Sequence, residues 1–189
     1  MKLWDCIHSR RSIRIFKRTP VERTVLLEMV DAARLSPSAA NIQPLRYKLI
    51  TDASTLNALY PHVHYAGYLP DFNPTPEQCP TAFIAVLSDT RLCAAKACEC
   101  DAGLSMMSMC LVARSHGFDT VILGAIERER IRALLGLGEE LALLSLLGVG
   151  VADQRSEAVP LADSIKYTMD AEGNISVPKR ALGDVLIEE

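Results

Sequence analysis

The stretch HSRRSIRIFKRTP, His8 to Pro20, gathers Arg10, Arg11, Arg14, Lys17 and Arg18 with two serines in a chain whose net charge is −3. Two readings compete. The cations can be a solvated turn after a short helix, because positive charge favours a helix C-terminus. Alternatively they grip a group of concentrated negative charge. Arginine forks and a hydroxyl suit a phosphate dianion, and here these would be Arg10, Arg11 and Ser12. A second basic pair, Lys179 and Arg180 in VPKR, stands in a strand-like tail and could close the same grip. Spacing alone does not bring the two clusters together.

A second stretch, SPSAANIQP, offers Ser38, Asn41 and Gln43 on a loop stiffened by Pro37 and Pro44. Such a loop can approach a flat heterocycle and hydrogen-bond its edge, or it is a polar turn between a helix and a strand. Other chemistry finds less support. No G-x-x-x-x-G-K-[ST] and no G-x-S-x-G is present, which excludes a P-loop and an α/β-hydrolase nucleophile. Gly148-Val-Gly150 lacks the third glycine of a dinucleotide turn and reads as the end of a buried strand. His62 and His64 have no third ligand nearby and read as polar loop residues. The cysteines Cys93, Cys98 and Cys100 fall at offsets that cannot converge on one metal from a helix, so all six cysteines read as free thiols.

The elements that must position these groups follow from patterning. The 189 residues are 49% apolar, enough for one well-packed domain. The near-neutral balance argues against nucleic-acid or membrane-surface partners, and no apolar run approaches the roughly 20 residues of a membrane span. The start MKLWDCIHSR has no long apolar centre, which predicts no secretion signal and a cytoplasmic location. Leu3, Trp4 and Ile7 predict a short first helix. Thr19-Pro20-Val21-Glu22 reads as the capped start of a second, which ends before Pro37. RYKLIT predicts a strand, and Asp52 the cap of a short helix through Leu59. A proline-rich segment, 61–80, is long enough to be functional.

TAFIAVLS predicts a strand buried on both faces. Asp89 reads as the cap of a long helix ending at Gly117. The later part of that helix is apolar or small all round, so a second subunit would cover it most easily. DTVILGAI, ERERIRALLGL and LALLSLLGVGVA predict a strand, a surface helix and a buried strand. The tail predicts a hairpin turning at Glu172-Gly173-Asn174. This order, without strict β-α-β alternation, predicts an α+β fold.

Taken in order, RRSIRIF, SPSAANIQPLRYKLIT, the 64–89 loop and strand, CDAGLSMMSMCLVARSHGFDTVILGAIERERIRALLGL and YTMDAEGNISVPKRAL resemble the nitroreductase family of FMN-dependent oxidoreductases. The resemblance implies a nitroreductase-like α+β sandwich, a central mostly antiparallel sheet flanked by helices, in an intertwined homodimer. It implies a single FMN-binding domain over 1–189, with 61–80 covering the pocket and 155–189 reaching the partner subunit. By position, Arg10, Arg11 and Ser12, with Arg14 close by, would hold the flavin phosphate and ribityl chain, and Lys179 and Arg180 would complete the phosphate site. Pro37, Ser38 and Asn41, supported by Gln43, would meet the ring. Leu123, Gly124 and Ala125 would pass its reactive edge.

No side chain is implied as catalytic and no metal is expected. NAD(P)H would be the co-substrate and a small nitroaromatic, quinone or enone-like molecule the acceptor, in a ping-pong cycle. Leu45, where many members carry an aromatic, and His64-Tyr65, in place of a tryptophan pair, depart from the family pattern on the substrate side. The alternatives are a flavin-consuming or dehalogenating member of the same scaffold, and a cysteine-based redox or metal module.

Overall fold

The computed structural model describes residues 1–188. In chain order it contains α1 (Leu3–Ser9), β1 (Phe16–Lys17), α2 (Arg23–Arg34), β2 (Leu45–Ile50), α3 (Ala53–Leu59) and β3 (Ala82–Asp89). There follow α4 (Glu99–Ser115), β4 (Asp119–Leu123), α5 (Arg128–Leu134), β5 (Leu141–Ala152), β6 (Ser156–Pro160), β7 (Thr168–Met169) and β8 (Ile175–Lys179).

The main sheet runs β1-β5-β3-β2, with β4 also paired to β5, and every pairing is antiparallel. The apolar run at 82–89 is continuous because both faces of β3 are covered. Ala82, Ile84 and Val86 pack with Leu26, Met29, Met106 and Met109 of α2 and α4. Phe83, Ala85 and Leu87 pack on the opposite side with Leu56, Leu59, Tyr60 and Ile131. Side chains alternate across a strand, so one run feeds two cores. The result is a sheet between two helical layers, the α+β sandwich expected from the sequence.

A three-stranded ribbon, β6-β8-β7, follows β5. The expected hairpin is present. β7 pairs antiparallel with β8, Gly173 takes the left-handed backbone (φ +84°), and the Asp170 carboxylate accepts the Asn174 N–H at 2.7 Å. Asp52 caps α3 by accepting the Thr55 N–H at 2.9 Å. Gly117 (φ +82°) ends α4 with its N–H on the Arg114 carbonyl.

Two expected helix starts are wrong. The second helix begins at Arg23, not at Pro20, because the Thr19 carbonyl accepts the Thr81 hydroxyl at 2.8 Å and Glu22 is still extended (ψ 135°). Asp89 caps no helix. It is the last residue of β3, its carboxylate is taken by Arg91, and α4 starts only at Glu99.

Candidate functional site

The basic stretch connects α1 to β1 along the edge of the main sheet. Ser12 bridges Thr120 of β4, and the Ile13 N–H donates to the Thr120 carbonyl at 3.0 Å. Ile13 and Phe16 are buried, which pins the backbone and leaves Arg10, Arg11 and Arg14 half-buried rather than free in solvent. The Nε atoms of Arg10 and Arg11 are buried and have no hydrogen-bond partner. Burial, and then the neighbouring Arg10 charge, push the Arg11 guanidinium below its ordinary pKa. Elsewhere arginines such as Arg91 and Arg114 meet carboxylates. Among the described residues, no ion pair involves Arg10, Arg11, Lys179 or Arg180. Two adjacent desolvated cations without a counter-charge are costly unless an anion joins them.

Arg14 is differently employed. Its Nε donates to the Tyr65 carbonyl at 2.8 Å and its guanidinium lies over the Tyr167 ring. It therefore ties the basic stretch to the 61–80 segment and to the tail.

The 38–43 loop carries the chain's strain. Ala40, Asn41 and Gln43 have φ of 48°, 55° and 53°, the non-glycine residues in the left-handed region among the described residues. Each costs on the order of 1–3 kcal/mol and persists only where surroundings impose it. Here the Ser38 hydroxyl accepts the Gln43 N–H at 3.0 Å, and the buried Asp101 carboxylate accepts the Ala39 N–H at 3.2 Å. Pro37, Ser38 and Gln43 line a cavity of about 300 Å³ with Asp101, Ser105 and Tyr47, whereas Asn41 stands outside, exposed, its side-chain oxygen accepting from Gln43 Nε2. Burial raises the Tyr47 hydroxyl pKa, against a hydrogen bond from Ser105 that lowers it.

At the end of β4, Leu123 is buried and Gly124 and Ala125 are exposed. A Cβ added to Gly124 would meet no atom within 4 Å. The Ala125 carbonyl accepts the His64 N–H at 3.0 Å, and Ala125 closes one side of a cavity of about 620 Å³ whose other walls are residues 60–76. Tyr65 is buried in that wall beside Cys79, and desolvation holds its hydroxyl protonated. Residues between 60 and 76 thus form a pocket wall.

The model of the Nitroreductase family matches residues 7–67 and 72–151. The chain belongs to the nitroreductase family. The resemblance drawn from the sequence is borne out, and the expected enzyme class stands with it. The chain is 28% identical over 152 residues to an Archaeoglobus fulgidus protein provisionally named NADH dehydrogenase/NAD(P)H nitroreductase, covering 76% of this chain and 82% of that one. It is 26% identical over 182 residues to the Bacillus subtilis protein YdgI, provisionally named an NAD(P)H nitroreductase, covering 78% and 87%. A provisionally assigned nitroreductase from Exiguobacterium sibiricum, solved in complex with FMN, superposes with a TM-score of 0.70 at 22% identity over 81% of this chain and 89% of that one.

In this nitroreductase-family chain the expected residues fall into separate groups. Arg10, Arg11, Ser12 and Arg14 lie together beside β4, which ends at Leu123 and leads into Gly124 and Ala125. Pro37, Ser38, Asn41 and Gln43 lie on the strained loop. Lys179 ends β8 opposite Pro160, and Arg180 follows it, both exposed. Ile175, at the other end of β8, bonds Arg155, and from there Lys179 is roughly 13 Å along the strand. Among the described residues, no hydrogen bond or ion pair joins Lys179 or Arg180 to Arg10 or Arg11. Sequence reasoning missed Asp101, which holds the loop, and Tyr167, which holds Arg14. A carboxylate at the start of a helix that is apolar or small over most of its length was the visible signal for Asp101.

Proposed function

We propose that this protein passes two electrons from NAD(P)H to a small oxidised acceptor (nitroaromatic, quinone or enone-like) in a ping-pong cycle, with FMN as its resident cofactor and two chains in the active unit. The single observation that carries the reading is the Arg10–Arg11 pair, whose buried Nε groups lack partners. The residues fit a flat phosphorylated cofactor in two further respects. The space over Gly124 is open to a ligand, and the strained 38–43 loop is held rigid beside a cavity.

FMN, when bound, supplies two-electron chemistry at its ring. In this reading Arg10, Arg11 and Ser12 bind the phosphate and ribityl chain, and Lys179 and Arg180 complete the phosphate grip. Arg14 fixes the basic stretch in place. Pro37, Ser38 and Asn41 meet the ring from a second copy, with Gln43 supporting them, and backbone N–H groups at Gly124 and Ala125 favour negative charge at its edge. The 61–80 segment excludes water and shapes the place where donor and acceptor bind in turn.

The outer stripe of α4, with Cys100, Gly103, Leu104 and Met107 exposed, and the exposed Leu182, Val185, Leu186 and Ile187 of the tail give a second copy apolar surface to cover. The test is the absorption spectrum of the purified protein. A yellow sample with flavin near-equimolar to chain, oxidising NAD(P)H steadily with a quinone or nitroarene, is expected. A colourless protein that takes up no FMN overturns the reading, and loss of flavin during turnover favours a flavin-consuming member.

A further inference from the structure

The cavity of about 620 Å³ beside Ala125 is framed by backbone that is held from outside. At its base Val63 bridges Ile126, the His64 N–H donates to the Ala125 carbonyl at 3.0 Å, and the Glu127 N–H donates to the His62 carbonyl at 3.0 Å. Arg14 Nε donates to the Tyr65 carbonyl at 2.8 Å, and Arg18 Nη1 to the Pro76 carbonyl at 3.1 Å. Between them the Tyr68 N–H donates to the Tyr167 hydroxyl at 3.3 Å. Both ends of the wall and its middle are therefore pinned. Small-molecule sites are usually pre-formed spaces of roughly 300–1,000 Å³, and this one falls in that range.

The lining carries no carboxylate, lysine or arginine among the described residues. Charged residues do adjoin the segment, but they stand off the cavity. Arg14 and Arg18 aim their donors at its carbonyls, while Asp71 and Glu77 are exposed and outside the lining. Tyr60, Phe72 and four prolines supply apolar surface instead, and a proline has no N–H to offer. Of the polar side chains, the Tyr60 hydroxyl donates to the Pro80 carbonyl at 3.0 Å, and Tyr65 is buried. The His64 ring and the Asn73 amide line the cavity, are exposed, and have no hydrogen-bond partner among the described residues. An ion entering such a space leaves water without meeting a counter-charge, which is far more costly than burying a neutral polar group. A neutral ring keeps its faces against aromatic and proline surface, and an oxygen on its edge can accept from the Asn73 amide.

We propose that this cavity selects uncharged flat aromatic molecules and quinones against their carboxylated or sulfonated counterparts, with His64 and Asn73 as the residues that hydrogen-bond the edge of the bound ring. The inference deepens the oxidoreductase reading and rests on it for the fate of the bound molecule. The selection itself is a property of binding, and it is set by what the lining lacks as much as by what it holds. A single charge placed on the lining should therefore change it, and a charge removed from the same segment outside the lining should not.

The test uses the full-length protein, incubated with FMN and freed of excess, at neutral pH and without NAD(P)H. Saturation-transfer NMR measures binding of 4-nitrobenzamide and 4-nitrobenzoate, which match in size and differ by one charge. The amide should bind at least about tenfold more tightly, because only the carboxylate is desolvated without a partner. Asn73→Lys puts a cation on the lining and should remove or reverse that preference. Asp71→Asn, exposed and off the lining, should keep the wild-type ratio. Carboxylate binding equal to that of the amide, no binding of the amide, or an unchanged ratio in Asn73→Lys would each overturn the proposal. So would an Asp71→Asn ratio that moves as far as that of Asn73→Lys. Selection of the amide by a protein that takes up no flavin would uphold the proposal while sinking the oxidoreductase reading, and flavin-dependent turnover without charge preference would do the reverse.

Discussion

The Arg14 guanidinium lies 4.7 Å from the centroid of the Tyr167 ring, on whose far side of the sequence the whole sheet has intervened. Tyr167 also packs against Tyr68 with ring centroids 5.1 Å apart, and its hydroxyl accepts the Tyr68 N–H at 3.3 Å. Arg14 in turn donates to the Tyr65 carbonyl. One tail residue thus clamps the pocket wall to the basic stretch. Burial lowers the Arg14 pKa, and Tyr167 acts in the opposite sense.

Tyr167→Ala should loosen that wall. The cation–π and aromatic contacts are each worth about 0.5–1.5 kcal/mol. KM for the acceptor should rise severalfold and residues 66–74 become more sensitive to protease, while flavin stays bound. Tyr167→Phe keeps both ring contacts and should stay close to wild type. Equal effects of the two substitutions would remove the clamp from the account.

Replacing Arg10 and Arg11 together by Ala should weaken FMN by at least about a hundredfold. Two charge-assisted bonds at about 1.5 kcal/mol or more each convert to that factor. Thermal stability without FMN should hold or rise, because two unpaired half-buried cations are removed. Fluorescence titration of free FMN measures the first effect and a melt of the apoprotein the second. Unchanged FMN affinity would place the phosphate elsewhere.

Much of this fold was legible because its signals are local. The 82–89 strand, the Asp52 cap, Gly117 and the Gly173 turn each follow from a few adjacent residues. What escaped was set by distant partners. Thr19 looks like a cap until Thr81 takes its carbonyl, and Asp89 does so until Arg91 and Arg46 take its carboxylate. In the site, the polar character of residues 38–43 was visible, but of the three left-handed residues only Asn41 is of a type that favours that backbone, and Ala40 and Gln43 carry no such signal. The Arg14–Tyr167 contact joins opposite ends of the chain, beyond the reach of any spacing rule.

Two glycines separate packing from site. A Cβ at Gly148 would stand 2.7 Å from Pro80 Cγ and 2.9 Å from Val121 Cγ1. Gly148→Ala should therefore destabilise the fold by about 1–3 kcal/mol. Gly124 has no such neighbour, and its φ is not left-handed, so Gly124→Ala should leave the melting temperature unchanged or slightly higher. If a ligand lies over Gly124, the same methyl group should weaken FMN or slow turnover. A Gly124→Ala protein with wild-type flavin affinity and rate would put the ring elsewhere.

The last prediction concerns acid. The Asp89 side chain is 3% exposed and accepts Arg91 Nε and Nη2 at 2.8 and 2.7 Å, with Arg46 Nη2 at 3.5 Å. The Arg91 hydrogen bonds, outweighing burial, hold its carboxyl down to about 2, against an ordinary 3.8. Below pH 3.8 the unfolded chain protonates this group while the folded chain does not, so the folded state loses its advantage as the pH falls. The stability from this ion pair should be whole above about pH 5, fall away through the range between, and be gone near pH 1. Asp89→Asn should melt below wild type at pH 7, and the gap should close across that window. Because the Asp89 N–H also donates to the Pro44 carbonyl at 2.9 Å, the variant should disturb the 38–46 segment as well. A gap that stays constant from pH 7 to pH 2.5 would show that Asp89 acts through shape and not charge.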